Sequence, residues 1–359
     1  MDRNNYKHVE PLVSVKMLTY NHAPYIAQAI EEVLYQQTNF PFELVIGEDC
    51  STDGTRQIVL EYQNQYPEII KVVTSDNNVG AHRNSVRTDK VCCGKYIAFC
   101  EGDDFWHNRN KLQVQFDFLE NNIEYGMVHG NVDVLNVEKG ELHKSFLDLP
   151  SDLQDDNAYF EILSSKRRIY TPTVMARRTL LLQVIRDNPE CSDRRFMMGD
   201  FQRWLELSRV SNVKYMPESL ATYRILQESA SKSNDRNKLL RFEQSIRDSV
   251  YHYLVKYDCP KELECQIHNT FAIDVLRVAI YAYNIEAIRS EFEEVCKQKI
   301  EDALNWQERL ICWGSKNHQR QQLVELFKSL WNFKKYLKSL LKKDQSTLCN
   351  SMYKSMVDT

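Results

Sequence analysis

The 359-residue sequence predicts an α/β fold, with a mostly parallel sheet flanked by helices and an all-helical region toward the carboxyl terminus. Two observations predict it. Strand-like and helix-like segments alternate over residues 11–130, which favours parallel strands covered on both faces. Beyond residue 233 the alternation gives way to long amphipathic stretches with few glycines or prolines, which are typical of packed helices.

Short apolar runs rich in β-forming residues define the sheet, at 12–19, 42–47, 69–74 and 95–100. Between them, apolar residues spaced three and four apart predict helices that begin near Ile26, Asp53 and His82. A strand pair is predicted over 127–137. Later helices are expected at 179–187, 235–257, 262–283 and 285–304.

The composition indicates a folded protein, because 43% of the residues are hydrophobic and 27% are charged. The sheet region lacks an extended basic face, so we expect no nucleic-acid partner. The ten cysteines contain no CxxC pair, no signal-peptide pattern opens the chain, and no apolar run reaches the roughly 18 residues of a membrane span. Reduced thiols in the cytoplasm are therefore expected.

Three regions are predicted: a polar tail over 1–10, a sheet domain over 11–234 and a helical region over 235–359. The last contains a basic amphipathic stretch, 323–343, in which leucines and phenylalanines recur every three or four residues and lysines lie mostly off that stripe. Such a helix can lie in the plane of an anionic membrane surface. A helix packed on the rest of the chain has the same pattern, so both interpretations stay open.

An acidic cluster, Glu101-Gly102-Asp103-Asp104, follows the fourth predicted strand. Neighbouring carboxylates repel one another unless a cation lies between them. Mn²⁺ and Mg²⁺ prefer oxygen ligands and commonly bind one or two carboxylates together with phosphate oxygens. The turns after the first two strands are also polar, and such turns meet at one edge of an open sheet. The sequence thus predicts a metal and phosphate crevice, although a solvated turn capping the next helix is the alternative.

Four segments occur in a characteristic order: LVSVKMLTYNHAPYIAQAI, LVIGEDCSTDGT, NNVGAHRNS and GKYIAFCEGDDFW. Over residues 11–232 this arrangement resembles the family 2 glycosyltransferases with the Rossmann-like GT-A fold, especially bacterial members that build capsules, O-antigens and similar surface glycans. The resemblance implies an inverting transferase that uses a nucleoside-diphosphate sugar, UDP-sugar foremost, with Mn²⁺ or Mg²⁺. The acceptor would be a glycan or lipid-linked glycan, reached from the inner face of the cell membrane.

The resemblance also implies roles for residues on the donor side. The expected donor contacts are Thr19, Tyr20, Asn21, Asp49, Arg83, Asn84, Glu101 and Asp103. Asp49 would accept a hydrogen bond from the base, and Asp103 and Asp104 would be the metal ligands. Glu101 departs from the commoner aspartate, and Leu226 stands where relatives often have histidine. These departures motivate an alternative, a catalytically weakened nucleotide-sugar-binding or interaction subunit of a glycan-assembly complex.

On the acceptor side, Asp200 matches the acid that precedes an aromatic-rich helix in the family. An inverting transferase needs one carboxylate to take the proton of the acceptor hydroxyl, and Asp200 is the candidate general base. An ordinary helix N-cap is the other interpretation of this aspartate. Acceptor or phosphate contacts are expected from Thr171, Thr173 and Arg224, for which a helix start and a surface arginine are the alternatives.

Overall fold

The structure, a computed structural model, describes residues 10–149, 158–227 and 233–316. Within these ranges the strands are β1 Val13–Thr19, β2 Phe42–Glu48, β3 Ile70–Val73, β4 Tyr96–Phe99, β5 Tyr125–Asn136, β6 Glu141–His143, β7 Met175–Arg177 and β8 Asn212–Ile225. They form one sheet in the order β3-β2-β1-β4-β7-β5-β6, with β8 paired to β5.

The helices of the first part of the chain are α1 Ile26–Leu34, α2 Thr55–Gln65, α3 Ala81–Asp89, α4 Lys111–Asn121, α5 Ala158–Leu163, α6 Arg178–Asp187 and α7 Gly199–Val210. Those of the second part are α8 Arg236–Lys256, α9 Lys261–Ala282, α10 Ile285–Lys297 and α11 Trp306–Ser315. The predicted fold class, a mostly parallel sheet with flanking helices and a carboxyl-terminal helical region, is confirmed over the described residues.

Strands β3, β2, β1 and β4 run parallel, so their carboxyl ends meet at one edge of the sheet. Strand β7 is antiparallel to both β4 and β5, and β8 runs parallel to β5. The prediction of a strand pair over 127–137 was wrong in detail, because this segment forms one long strand that pairs with β8. Two shifts of the β5–β8 register flank Asn131 and break the simple alternation of side chains. For this reason the sequence pattern does not predict β8.

The two faces of the sheet differ in chemistry, and alternate residues of β1 show this most simply. The apolar face carries Val13, Val15 and Met17, which share a hydrocarbon core with residues of α1 and α4 such as Ile30 and Leu112. The polar face carries the intervening residues of β1, among them the fully buried Ser14 and Lys16, and packs against α3. Side chains on this face are joined by hydrogen bonds.

Helix α2 shows how a predicted cap is realised. Its N-cap is Gly54, with a φ of 99° that favours glycine. The neighbouring Asp53 provides the acceptor, because its Oδ1 receives hydrogen bonds from the Thr55 N–H at 3.0 Å and the Thr55 hydroxyl at 2.6 Å. The first turn of α2 is thereby fixed directly after the polar turn that ends β2.

The chain divides into two compact units. One contains the sheet, and the other contains, among the described residues, 163–166, 195–198, 227 and 233–316. In the second unit α8, α9, α10 and α11 enclose their own apolar cluster, with Leu240, Leu276 and Ile288 among its members. Every helix in the described ranges is too short or too polar to span a lipid bilayer. The predicted stretch 323–343 and all but the last residue of the predicted tail lie outside the described residues.

Candidate functional site

The turns that follow β1, β2 and β4 are hydrogen-bonded to one another at the carboxyl edge of the sheet. The Asp49 N–H donates to the Thr19 carbonyl at 3.1 Å, and the Gly102 N–H donates to the Leu18 carbonyl at 2.9 Å. A β-carbon at position 102 would lie 2.6 Å from the Thr19 hydroxyl oxygen. Glycine is therefore required for the acidic turn to pack this closely against the end of β1.

Asn21 ties the first polar turn to the second. Its backbone is left-handed, with a φ of 56°, and its Oδ1 accepts the Thr52 N–H at 2.9 Å. Its own N–H donates to the Ser51 hydroxyl at 3.0 Å. Asparagine is among the few residues other than glycine that adopt this conformation readily. The neighbouring Tyr20 is 44% exposed at the crevice edge, so its ring is available to a ligand.

Asp49 is 2% exposed and holds the connection between β3 and α3. Its two carboxylate oxygens accept the N–H groups of Val79 at 2.8 Å and Gly80 at 2.9 Å. The guanidinium of Arg87 lies 3.5 Å from Oδ1. An ionised carboxylate offers about four lone-pair sites, so these bonds leave acceptor capacity for a nucleotide base. The contact between Asp49 and the base stays a prediction.

Helix α3 places its two expected donor residues differently. Arg83 is exposed, whereas Asn84 is buried and its Nδ2 donates to the Gly47 carbonyl at 2.7 Å. Asn84 also accepts from Nε of Arg87, whose Nη2 donates to the Glu48 carbonyl at 2.6 Å. Sequence reasoning missed Arg87. Its spacing of three residues from Asn84, which puts both on one side of a helix, was the available signal.

The acidic cluster concentrates negative charge. Asp104 is 2% exposed, and burial followed by the charge of Asp103 raises its pKa well above the ordinary value. Burial and then the charge of Asp103 raise the pKa of Glu101 to about 8, while Lys16 opposes the shift and the charge of Asp200 adds to it. Asp200, from the predicted acceptor side, therefore lies near enough to act electrostatically on the cluster.

Arg224 and His22 flank this cluster. The Arg224 N–H donates to Oδ1 of Asp104 at 2.9 Å, and its guanidinium donates to the Asp103 carbonyl at 2.7 Å and to Gln28 at 2.5 Å. Arg224 is thus buried and holds the acidic turn against β8, unlike the surface arginine of the alternative interpretation. On the other side, Nε2 of His22 lies 3.8 Å from Oδ2 of Asp103, a proximity that sequence reasoning did not predict.

The carboxylates of the acidic cluster are suited to a divalent cation that is bound together with a phosphate ligand. Within the described ranges, no group of three or more His, Cys, Asp or Glu side chains is arranged to hold a metal alone. Asp103 and Asp104 offer two neighbouring carboxylates, and burial followed by the charge of Asp103 raises the pKa values of Glu101 and Asp104. Two carboxylates completed by diphosphate oxygens and water form a usual shell for Mg²⁺, so the residues fit such an ion bound together with a nucleotide.

The predicted acceptor residues meet at the start of α7. Asp200 lies in its first turn, and the Thr171 hydroxyl donates to its Oδ2 at 2.5 Å. Asp200 Oδ1 also accepts the Phe201 N–H at 2.9 Å. Thr173 is fully buried in the short 3₁₀ turn 171–173 and donates to the Tyr170 carbonyl at 2.7 Å. Thr171 is thus aligned with the candidate base, whereas Thr173 bonds to the backbone; their acceptor contacts stay predictions.

Comparison with known proteins agrees with this geometry. The model of the family described as "Glycosyl transferase family 2" matches residues 14–182. The Bacillus subtilis protein named "Putative teichuronic acid biosynthesis glycosyltransferase TuaG" is 32% identical over 224 residues, which cover 62% of this chain and 82% of that protein. An uncharacterized Mycobacterium tuberculosis protein is 30% identical over 214 residues, which cover 59% of this chain and 58% of that longer protein.

Solved structures share the fold at low sequence identity. Staphylococcus aureus TarS 1–349, in complex with UDP-GlcNAc, is 17% identical with a TM-score of 0.54, covering 85% of this chain and 87% of that one. The mannosyltransferase PcManGT of Pyrobaculum calidifontis, in complex with GDP-Man and Mn²⁺, is 15% identical with a TM-score of 0.53, covering 98% and 89%.

The sheet order, the polar strand ends and these structural matches define a GT-A fold protein. The chain belongs to glycosyltransferase family 2, as the sequence resemblance predicted.

Proposed function

We propose that this protein transfers a sugar from a nucleoside-diphosphate sugar to a glycan acceptor, with inversion at the anomeric carbon. The observation that carries the proposal is the convergence of four carboxylates from two sides of one crevice. Glu101, Asp103 and Asp104 follow β4, and Asp200 begins α7, which packs on the end of β4 through an edge contact between the rings of Trp204 and Phe99, 5.2 Å apart at their centroids. A donor complex on one side and a base on the other is what a single-displacement transfer requires.

On the donor side, the exposed ring of Tyr20 and the carboxylate of Asp49 would contact the nucleotide base, and Arg83 would approach the diphosphate. Asp103 and Asp104 would hold Mn²⁺ or Mg²⁺ together with the diphosphate. A bound divalent cation offsets the negative charge that develops on the departing diphosphate. Arg224 keeps the acidic turn in place, because its main-chain N–H donates to the carboxylate of Asp104 and its guanidinium donates to the backbone carbonyl of Asp103.

On the acceptor side, Asp200 takes the proton of the attacking hydroxyl. The acceptor oxygen forms a bond to the anomeric carbon while the bond from that carbon to the phosphate oxygen breaks, and the nucleoside diphosphate leaves. The hydrogen bond from Thr171 fixes the orientation of one carboxylate oxygen of Asp200. A fixed base removes part of the orientational cost of the transition state, which is the usual contribution of such positioning.

The similar proteins support the choice of substrates. TarS and PcManGT are bound to UDP-GlcNAc and GDP-Man in their structures, and the name of TuaG refers to teichuronic acid biosynthesis. We therefore propose a UDP-sugar donor foremost, a surface polysaccharide or its lipid-linked precursor as acceptor, and a cytoplasmic location at the inner face of the membrane. Contact with the membrane through 323–343 belongs to the same proposal.

The first experiment is a thermal-shift screen of UDP-sugars and GDP-sugars with and without Mn²⁺, followed by turnover of the donor that stabilises the protein most. Asp200→Asn is expected to lower turnover by about 10²- to 10⁴-fold, the usual contribution of a general base, while the thermal shift by donor is kept. Asp187→Asn, which changes an exposed aspartate at the end of α6, serves as the matched control.

The results separate this proposal from its rival. A protein that binds donor with Mn²⁺ and releases no nucleoside diphosphate with any acceptor fraction would instead be the weakened binding subunit. Full turnover by Asp200→Asn would remove Asp200 from the mechanism. The membrane contact is tested by sedimentation with anionic vesicles, where deletion of residues 323–359 is expected to abolish binding; unchanged binding by the truncated protein would contradict it.

A further inference from the structure

A buried polar cluster joins helices α3 and α7 beneath the crevice. It consists of Lys16, Ser85, Asp89 and Arg203, each at most 7% exposed, and is called the buried bridge below. The Ser85 hydroxyl accepts from Lys16 at 2.7 Å and from Arg203 at 2.9 Å. Asp89 bonds to Lys16 through one oxygen, and its other oxygen lies 3.6 Å from Arg203.

The bridge connects the two helices that carry the proposed donor and acceptor groups. Ser85 follows Arg83 by two residues on α3, and Arg203 follows Asp200 by three residues on α7, which is nearly one helical turn. A second contact lies one turn closer to the crevice. There the His82 ring packs on Gly199, and a β-carbon at position 199 would be 3.0 Å from its Cε1.

The bridge is poorly suited to stabilisation alone. Two cations share one carboxylate, burial lowers the pKa of Lys16, and Nε of Arg203 is buried without a hydrogen-bond partner among the described residues. Apolar residues of similar volume often replace a buried ion pair without loss of stability. Hydrogen bonds from a guanidinium are directional, however, so the bridge specifies the angle and register of α7 against α3.

We propose that Arg203 is a positioning residue for the transfer reaction, which holds the first turn of α7 so that Asp200 faces the donor complex. The inference rests on the proposed role of Asp200 as base. Arg203 touches neither donor nor acceptor; it acts through the helix that carries the base. Loss of its bond to Ser85 lets α7 shift against α3, and a displacement of about 1 Å at a reacting group can cost about 100-fold in rate.

The experiment compares kcat and donor KM for release of UDP from UDP-N-acetylglucosamine or UDP-glucose, whichever gives the larger thermal shift with Mn²⁺. Arg203→Gln is expected to lower kcat by about 10- to 100-fold with donor KM changed by less than about threefold. Arg203→Lys should recover part of the loss, since its amine can still donate to Ser85. Arg209→Gln, an exposed position on the same helix, is the matched control.

Two gentler variants keep the test decisive if Arg203→Gln fails to fold. Ser85→Ala removes the shared acceptor and leaves all three charges, while Gly199→Ala displaces the His82 ring without touching the bridge. Both are expected to lower kcat by about 3- to 30-fold at unchanged donor KM. Where Arg203→Gln folds, combining it with Ser85→Ala should lower kcat by less than the product of the separate effects, because each substitution alone breaks the same contact.

Unchanged kcat in Ser85→Ala and Gly199→Ala, measured where circular dichroism finds both variants folded, would overturn the positioning role. A rise in donor KM at constant kcat would overturn it as well, since that pattern belongs to donor binding. Asp200→Asn in the same assay distinguishes the two proposals. If Asp200→Asn is inactive and the bridge variants are fully active, only this inference fails; if Asp200→Asn is active, the proposed base is wrong.

Discussion

The two faces of the sheet are stabilised in different ways, although alternate residues of the same strand supply both. On the apolar face, Val13, Val15 and Met17 contribute to a hydrocarbon core without polar partners. On the polar face, Ser14 donates to Glu43 at 2.5 Å and Lys16 bonds to Ser85 and Asp89. Hydrocarbon contacts are non-directional and tolerate volume-conserving changes, whereas hydrogen bonds fix the position of the groups that they join.

The difference matches the helices that each face supports. Helix α1, over the apolar face, carries none of the predicted catalytic or binding residues. Helices α3 and α7, joined through the polar face, carry Arg83, Asn84 and Asp200. The hydrogen-bonded face of the sheet therefore supports the helices that carry the proposed substrate contacts. Four substitutions test this difference between the two faces.

The largest expected effect is that of Asp89→Asn on the polar face. The change conserves volume but leaves Lys16 and Arg203 without a buried counter-charge. Removal of one partner of a buried ion pair typically costs about 3–5 kcal/mol of unfolding free energy, and we expect a loss of roughly that size. The free energy of unfolding in urea measures it. Asp117→Asn, an exposed aspartate on α4, is the control and should change stability by less than about 0.5 kcal/mol. A loss below that of the control would contradict the comparison.

Glu101→Gln tests how charge is balanced at the crevice. The pKa of Glu101, raised by burial and by Asp103 to about 8, exceeds its unfolded value, so the folded state retains a proton that the unfolded chain releases. Stability of the metal-free protein should therefore fall as pH rises from 5 to 8, and Glu101→Gln should remove much of that fall. At pH 8 the variant is expected to be more stable by about 2 kcal/mol. If the unfolding free energies of the two proteins in EDTA changed with pH in parallel, the titration of Glu101 would not be the cause of the pH dependence.

Glu43→Gln tests the hydrogen-bonded carboxylate that β2 contributes to the polar face. Burial alone would raise the pKa of Glu43, but hydrogen bonds from the Cys93 N–H, Lys71 and Ser14 outweigh burial and lower it. Its contribution to stability is therefore present above the unfolded pKa and is lost as pH falls through the folded pKa. We expect a loss of about 1.5 kcal/mol at pH 7 that shrinks toward pH 3. A pH-independent difference would mean that the charge is not responsible.

Ile30→Val on the apolar face should have the smallest effect. It removes one methylene from a fully buried side chain of α1, and such changes cost about 1 kcal/mol. Thermal unfolding followed by circular dichroism measures this, and donor turnover should be unchanged within about twofold, since no directional bond is lost. A large fall in turnover with little loss of stability would show that the apolar face also positions substrate groups.

The sequence was sufficient to predict much of the fold, and it predicted which edge of the sheet carries the polar turns of the candidate site. The runs at β1, β2 and β4 end at polar turns, and the parallel order brings those turns to one edge. Local patterns could not predict β8, because its pairing with β5 involves register shifts and residues about 90 positions apart. The sequence did not predict the buried bridge either. Lys16 stands in an apolar run, and its partners on α3 and α7 are identified only by tertiary packing.

The carboxylate of Asp49 fixes a loop that lies about 30 residues further along the chain, through the N–H groups of Val79 and Gly80. For protein engineering, the end of β2 and the connection between β3 and α3 therefore behave as one transplantable unit. A loop taken from another transferase to alter donor preference would keep its shape only if its own acidic anchor were moved with it. Combinatorial libraries built on this scaffold should vary residues 75–78 and leave Asp49, Val79 and Gly80 intact.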